Sequence, residues 1–313
     1  MAQIACPSAM PSDIQPEPLS VFSRLLRASG VQSRRPGRGR ERQPEERGPA
    51  RAGRVICVAS GKGGTGKSFM ATNLAAMRAK AGERVLLIDF DAGMANAHLM
   101  LGLNPKYDLG DVMARRVSVE DALVEGSSGL QLLSGGVGRR DLAQPTRREL
   151  DRLFDLLSLQ EERFDLIVID HGAGLGYGTL TQLAATRCLL LVTNPEVTAL
   201  SDAYALYKQV LAVNDHLRVG LVVNRAPDET VALDAWGRFR GVSKRFLQRS
   251  PEYLGWVPAD RAVYDSVQQR SPVCLAAPES ASARSLRALA SWQAITAAPT
   301  GGSFFTRARK ALR

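Results

Sequence analysis

The apolar run Val55-Ile56-Cys57-Val58-Ala59 leads almost directly into Gly61-Lys62-Gly63-Gly64-Thr65-Gly66-Lys67-Ser68, and this junction constrains the fold more than any other stretch of the chain. Gly61, Gly66, Lys67 and Ser68 fit the spacing G-x-x-x-x-G-K-[ST] of a phosphate-binding loop. A strand, a glycine-rich turn and the helix-forming stretch Phe69–Ala81 occur in the order such a loop requires. The glycines let backbone N–H groups close around phosphate oxygens, and the helix N-terminus adds positive potential at the same place. Lys67 is expected to reach the β- and γ-phosphates of a nucleotide, and the Ser68 hydroxyl to ligate Mg²⁺. A chance glycine-rich turn would not need the flanking strand and helix.

From Arg54 onward, short apolar runs alternate with helical patterns, which predicts an α/β fold: a doubly wound, mostly parallel sheet of the P-loop NTPase kind. The predicted strands are 55–59, 85–90, 130–133, 166–170, 188–193, 219–224 and 254–257. Helical spacing covers 148–159, 200–213 and 233–249, among others. Val85–Phe90 lacks alternation, as a strand buried on both faces should.

Charge divides the chain. The net charge of the 313 residues is +10, but residues 1–54 carry ten arginines against five acids, and residues 284–313 carry six basic residues and no acid. The remainder holds 25 basic and 26 acidic residues. A near-neutral core argues against a broad nucleic-acid face there, leaving the N-terminal arm as the one place for such contact. Residues 28–54 are rich in Arg, Gly, Pro, Gln and Glu and are expected to form a linker. A short amphipathic helix is expected near 18–28. The resulting division is an extension over 1–53, an ATPase domain over 54–297, and a hinge with a basic tail over 298–313. Cys6, Cys57, Cys188 and Cys274 are isolated, which supports neither a disulfide framework nor a local metal site and fits a reducing cytoplasm.

Two predicted strands end in carboxylates, Asp89-Phe90-Asp91 and Asp170-His171-Gly172. In open parallel sheets, ligands lie beyond the carboxyl ends of strands. A carboxylate there is costly without a partner, and Mg²⁺ with its waters supplies one. The competing reading is that each aspartate caps the helix that follows.

The form Lys62-Gly-Gly-x-Gly-Lys67-Ser68 resembles the deviant Walker A loop of MinD/ParA-type ATPases. Asp89-x-Asp91 with Gly93 resembles their switch I, and Asp170-x-Gly-Ala-Gly174 their switch II. That likeness implies an ATP-dependent homodimer in which Lys62 reaches the partner's phosphates, Asp91 orients the attacking water, and Ser68, Asp89 and Asp170 serve Mg²⁺. Asn224-Arg225 and Pro258-x-Asp260 resemble the segments around the adenine. The stretches 91–105, 194–206 and 255–273 are similar to flagellar-number regulators of the FlhG/FleN type, over roughly 54–295. This implies partners such as an FlhF-like GTPase, flagellar switch proteins or a transcriptional regulator. A DNA-partitioning ATPase or a non-hydrolysing nucleotide scaffold are the competing readings. His171 stands where the family more often has Ser or Thr, and Phe69 where it has a smaller residue.

The chain closes with Phe304-Phe305-Thr-Arg307-Ala308-Arg309-Lys310-Ala311-Leu312-Arg313 after Gly301-Gly302. Phe304, Phe305, Ala308, Ala311 and Leu312 share one helical face, and the charges lie mainly on the other. This pattern predicts a basic interfacial helix for an anionic membrane, with ATP pairing two weak tails. The expected location is the cytoplasm and, reversibly, the inner face of the cell membrane.

Overall fold

A computed structural model describes residues 53–91, 95–136, 145–172, 177–296 and 302–312. The expected helix at 18–28, the arm through residue 52, Gly93, Gly174 and Gly301 lie outside the described residues.

The elements run β1 (Arg54–Ala59), α1 (Lys67–Lys80), β2 (Val85–Phe90), α2 (Ala97–Met100), α3 (Leu109–Met113), α4 (Val119–Ala122), β3 (Leu123–Glu125) and β4 (Gln131–Leu133). There follow α5 (Arg147–Ser158), β5 (Leu166–His171), α6 (Tyr177–Ala185), β6 (Cys188–Thr193), α7 (Val197–Val213), β7 (Arg218–Ala226) and α8 (Glu229–Leu247). The last are β8 (Glu252–Pro258), α9 (Arg261–Gln268), α10 (Val273–Ala276), α11 (Ala281–Ala290), α12 (Gln293–Thr296) and α13 (Phe304–Ala311). The strands form one eight-stranded sheet in the order β3-β4-β2-β5-β1-β6-β7-β8. Its pairings are parallel except β3 against β4.

Both faces of the central strands are buried, so residue parity sorts the core. Cys57, Leu86, Ile88, Ile167 and Ile169 pack toward α5, α6, α7, α8 and α13. Ile56, Val58, Val85, Leu87 and Val168 pack toward α1, α10 and α11. The same parity sends Asp170 toward α1 and the phosphate loop, and His171 to the opposite layer. Phe69 lies in the α1 layer and is buried, so the larger residue is absorbed by the core.

β3 escaped the sequence reading. Three residues at a sheet edge are too few for alternation to be visible. The C-terminal segment requires a correction. The tail helix forms, but its apolar face is not available to a membrane in this structure. Phe304, Phe305, Ala308 and Leu312 are buried among α5 and α6, with the Phe305 ring 6.0 Å from that of Phe154. Glu161 holds the helix start: it accepts from the Ser303 hydroxyl at 2.7 Å and from the backbone N–H of Phe304 at 3.0 Å and of Phe305 at 2.8 Å. Arg309 pairs with Asp151 at 3.0 Å and with Asp155. Residues 302–312 are thus part of the domain rather than an appended tail. An amphipathic stripe fits a core as well as a bilayer, and here it is buried against α5 and α6.

Candidate functional site

β1 feeds the phosphate loop at the carboxyl edge of the sheet, and each loop residue has an identifiable constraint. Gly61 has no room for a side chain: a Cβ there would stand 2.1 Å from the Asp202 carbonyl on α7. Gly64 and Gly66 have φ of 77° and 98°, a left-handed region that favours glycine. Gly66 also caps α1, whose first turn has no side-chain cap and no acidic residue. Its leading N–H groups therefore point to the site with the positive end of the helix dipole. Thr65 and Lys67 are buried beneath the loop, and the Ser60 hydroxyl donates to the Lys62 carbonyl at 2.7 Å.

A cavity of about 590 Å³ opens in front of this loop. On one side stand Gly63, Gly64, Gly66, Lys67 and Ser68, with Asp91 and Asn96 beside them. On the other stand Asn224, Arg225, Pro258, Asp260 and Tyr264. The volume is of the order of known small-ligand sites. Residues far apart in sequence, such as Gly64 and Asp260, thus line one cavity. The Asn224 side chain donates to the Thr65 carbonyl at 2.8 Å, which ties the end of β7 to the loop. Arg225 takes a positive φ of 56°, an unusual conformation for a bulky residue. Asp260 spends its carboxylate on backbone donors, capping α9 through Ala262 and holding Ser282 N–H. It shapes the wall, while Val263, Tyr264 and Val267, from the turns of α9, supply its apolar surface.

The two aspartate motifs meet because β2 and β5 are paired in register, Asp89 opposite Asp170. Their environments differ. Asp89 accepts from the N–H of Asp91 at 2.9 Å and from those of Asn96 and Ala97 at 3.1 Å each. It therefore fastens both ends of the segment between β2 and α2. Burial pushes its carboxyl up to about 6 against those three donors. Asp170 is fully buried, and neither carboxylate oxygen has a hydrogen bond of standard geometry. Burial drives its pKa well upward and Asp89 adds to this, while the nearby Ser68 hydroxyl and Lys67 ammonium oppose it. An orphaned buried carboxylate next to a serine hydroxyl and a phosphate loop fits the demands of a hard, oxygen-seeking cation. Ser68 and Asp170 are the residues that would hold Mg²⁺.

Asp91 lines the cavity at the mouth of β5: a Cβ on Gly172 would lie 3.6 Å from its Oδ1. The backbone of Gly135 closes from behind, since a Cβ there would stand 2.5 Å from the Asp89 carbonyl. The sequence offered no signal for that contact. His171 points away from this chemistry. Its ring stacks on Phe90 at 6.5 Å and is fully buried; burial and the Lys67 charge push its pKa down to about 3. A neutral ring in the opposite layer makes it a packing residue here. Lys62 is exposed, stands apart from the cavity lining, and donates to the Thr198 hydroxyl at 3.0 Å.

Comparison with known proteins agrees with this geometry. A protein-family model described as an AAA domain matches residues 53–223. The antiactivator FleN of Pseudomonas aeruginosa is 32% identical over 236 residues, covering 75% of this chain and 84% of that protein. The crystal structure of the Pyrococcus furiosus cell division ATPase MinD superposes with a TM-score of 0.65 at 30% identity, covering 76% of this chain and 97% of that one. The septum site-determining protein MinD of Pyrococcus horikoshii, complexed with Mg-ADP, superposes with a TM-score of 0.63 at 27% identity, covering 76% and 94%.

Proposed function

The chain belongs to the MinD/ParA-type P-loop ATPases, and from that premise we propose that it is an ATP-driven dimerising switch of the flagellar-number branch. The observation that carries this reading is the split between the two loop lysines. Lys67 is buried under the loop and lines the cavity, whereas Lys62 is exposed and parked on Thr198. A cation in the loop that its own cavity does not use is suited to the phosphates of a facing subunit.

The chemistry follows from the residues in place. Loop N–H groups and Lys67 would hold the phosphates of ATP, and Asn224, Arg225, Pro258 and the side chains of α9 would enclose the base. Asp91, at the cavity wall beside Gly172, would orient a water for in-line attack on the γ-phosphoryl group. Lys62 of a facing subunit would stabilise the charge of the transition state. Mg²⁺, when bound by Ser68 and Asp170, supplies charge neutralisation on the phosphates. The P. horikoshii relative carries Mg-ADP, which supports this ligand pair.

The flagellar output rests on the FleN relationship, and the partners proposed are an FlhF-like GTPase, a flagellar switch protein or the transcriptional activator that an antiactivator would restrain. Among the described residues no helix is long and apolar enough to cross a membrane. Peripheral association through 304–313 would first require α13 to leave its groove.

Lys62→Ala and Lys67→Ala test the proposal in parallel. Lys67→Ala should weaken ATP binding by roughly 100-fold, the scale of losing a charge-assisted phosphate contact. Lys62→Ala should bind ATP within about threefold of the parent, because each factor of ten needs 1.4 kcal/mol of contact that Lys62 does not make in cis. It should nevertheless remain monomeric in gel filtration with ATP and Mg²⁺. Equal loss of affinity in the two variants would reject the trans assignment.

A further inference from the structure

A second cavity lies away from the nucleotide, where the end of α3, the first turns of α5 and α13 meet. It measures about 620 Å³, and its charged lining is Arg115, Arg147, Arg148, Arg152, Arg309 and Asp151. Among the described residues, five arginines and the carboxylate of Asp151 thus line one concavity. That carboxylate and Asp155 together engage the Arg309 guanidinium, so Arg115, Arg147, Arg148 and Arg152 are the groups left to meet a ligand, and Arg309 completes the wall. Among the described residues, Arg115, Arg147 and Arg148 have no acidic partner at ion-pair distance.

Two local choices make this more than a solvated basic face. Arg147 and Arg148 occupy the first two positions of α5, directly after its cap Thr146. Cations there oppose the helix dipole, which favours acids in the first turn. Arg115 follows the end of α3 with a φ of 57°, a position where glycine is the favoured residue. Three arginines are therefore placed against local preference, and all three line the same cavity. The capping box engages the N–H groups of Thr146 and Glu149, and the arginine side chains supply the charge of the site.

We propose that this arginine-lined cavity binds a ligand bearing several phosphate groups and holds α13 docked while it does so. Guanidinium groups grip phosphate oxygens in pairs, which suits a cluster of arginines more than one of lysines. The volume exceeds what one phosphate fills and matches a polyphosphorylated small molecule or lipid headgroup. Arg309 and Leu312 belong to the wall and to the C-terminal helix segment, so the site is complete only when that segment is seated. A ligand that binds the seated form stabilises it by mass action.

The test uses the full chain with ADP and Mg²⁺ in excess, so that the phosphate loop is filled. Inositol hexakisphosphate is titrated by calorimetry at physiological salt, and vesicles containing cardiolipin, a lipid with more than one phosphate in its headgroup, are offered in a parallel sedimentation. Saturable binding that falls at least tenfold in Arg115→Ala/Arg147→Ala/Arg148→Ala, with ADP affinity unchanged, supports the site. Binding in solution alone assigns a soluble ligand, and vesicle binding lost in the triple variant assigns a headgroup. The ligand should also slow hydrogen exchange of the 304–311 amides. The proposal falls if the parent binds neither probe, or if the triple variant binds as the parent does. Faster exchange of 304–311 in the ligand's presence overturns the docking role.

Discussion

The phosphate loop and the C-terminal helix are both short motifs read with ease from the chain, yet they fared differently. The loop places Gly63, Gly64, Gly66, Lys67 and Ser68 around one cavity, with Gly61 packed against the backbone of α7. The helix forms where its pattern predicts but faces α5 and α6 instead of lipid. The difference lies in what each pattern encodes. Glycine spacing specifies backbone conformation, which is local. An amphipathic stripe specifies only that one face wants cover, and the cover comes from elsewhere in the chain.

The sharpest way to break the comparison is Phe305→Ala. If α13 is core, removing a fully buried ring should cost about 3–5 kcal/mol of stability. Denaturant unfolding would show it, while ADP affinity stays near the parental value. A change under about 1 kcal/mol would return the helix to the status of a loose tail.

The nucleotide end yields the next largest effect. Asp91→Ala should lower ATP hydrolysis by roughly 100-fold, within the range for a group that positions a reacting proton or water. It should keep nucleotide binding and unfolding midpoint near parental, because Asp91 borders a cavity and is not buried. Phosphate release and light scattering with ATP would read both. Parental hydrolysis would remove Asp91 from the reaction.

Glu161→Gln gives the smallest expected change and tests how the helix is seated. The carboxylate accepts three donors from residues 303–305. An amide there loses charge and turns one acceptor into a donor facing donors, so a loss of about 1–3 kcal/mol is expected. Hydrogen exchange of 304–311 should rise more than that of the β1 or β5 amides. Uniform acceleration across the domain would mean that Glu161 supports the whole core and does not specifically seat the helix.

Much of the fold was legible because apolar runs separated by helical spacing leave few arrangements for a parallel sheet. The predicted strand 219–224 is the core of β7, and 148–159 differs from α5 by one residue at each end. What escaped was short or dependent on distant neighbours. β3 has three residues, and α9 contributes Val263 and Tyr264 to the cavity from a stretch that read as part of the family likeness over 255–273, with only Pro258 and Asp260 placed near the adenine. Asp89 and Asp260 were legible as polar residues at strand ends. Their work as backbone organisers depends on donors that folding brings to them.

The chain by itself determined the phosphate loop, the pairing of carboxylates with strand ends and the class of sheet. These follow from rules of neighbours: glycine torsions, strand period and the strand-loop-helix order. Only the tertiary structure decided that Asp170 stays without a hydrogen bond of standard geometry while Asp89 is satisfied, and that Lys62 turns to Thr198. It also decided that Phe304 and Phe305 are core. The reason is common to all of these. Burial, partner and field at a side chain are set by how the folded chain brings atoms around it, close in sequence for Asp89 and distant for Lys62 and Phe305, and a one-dimensional pattern carries the demand for a partner but not its identity.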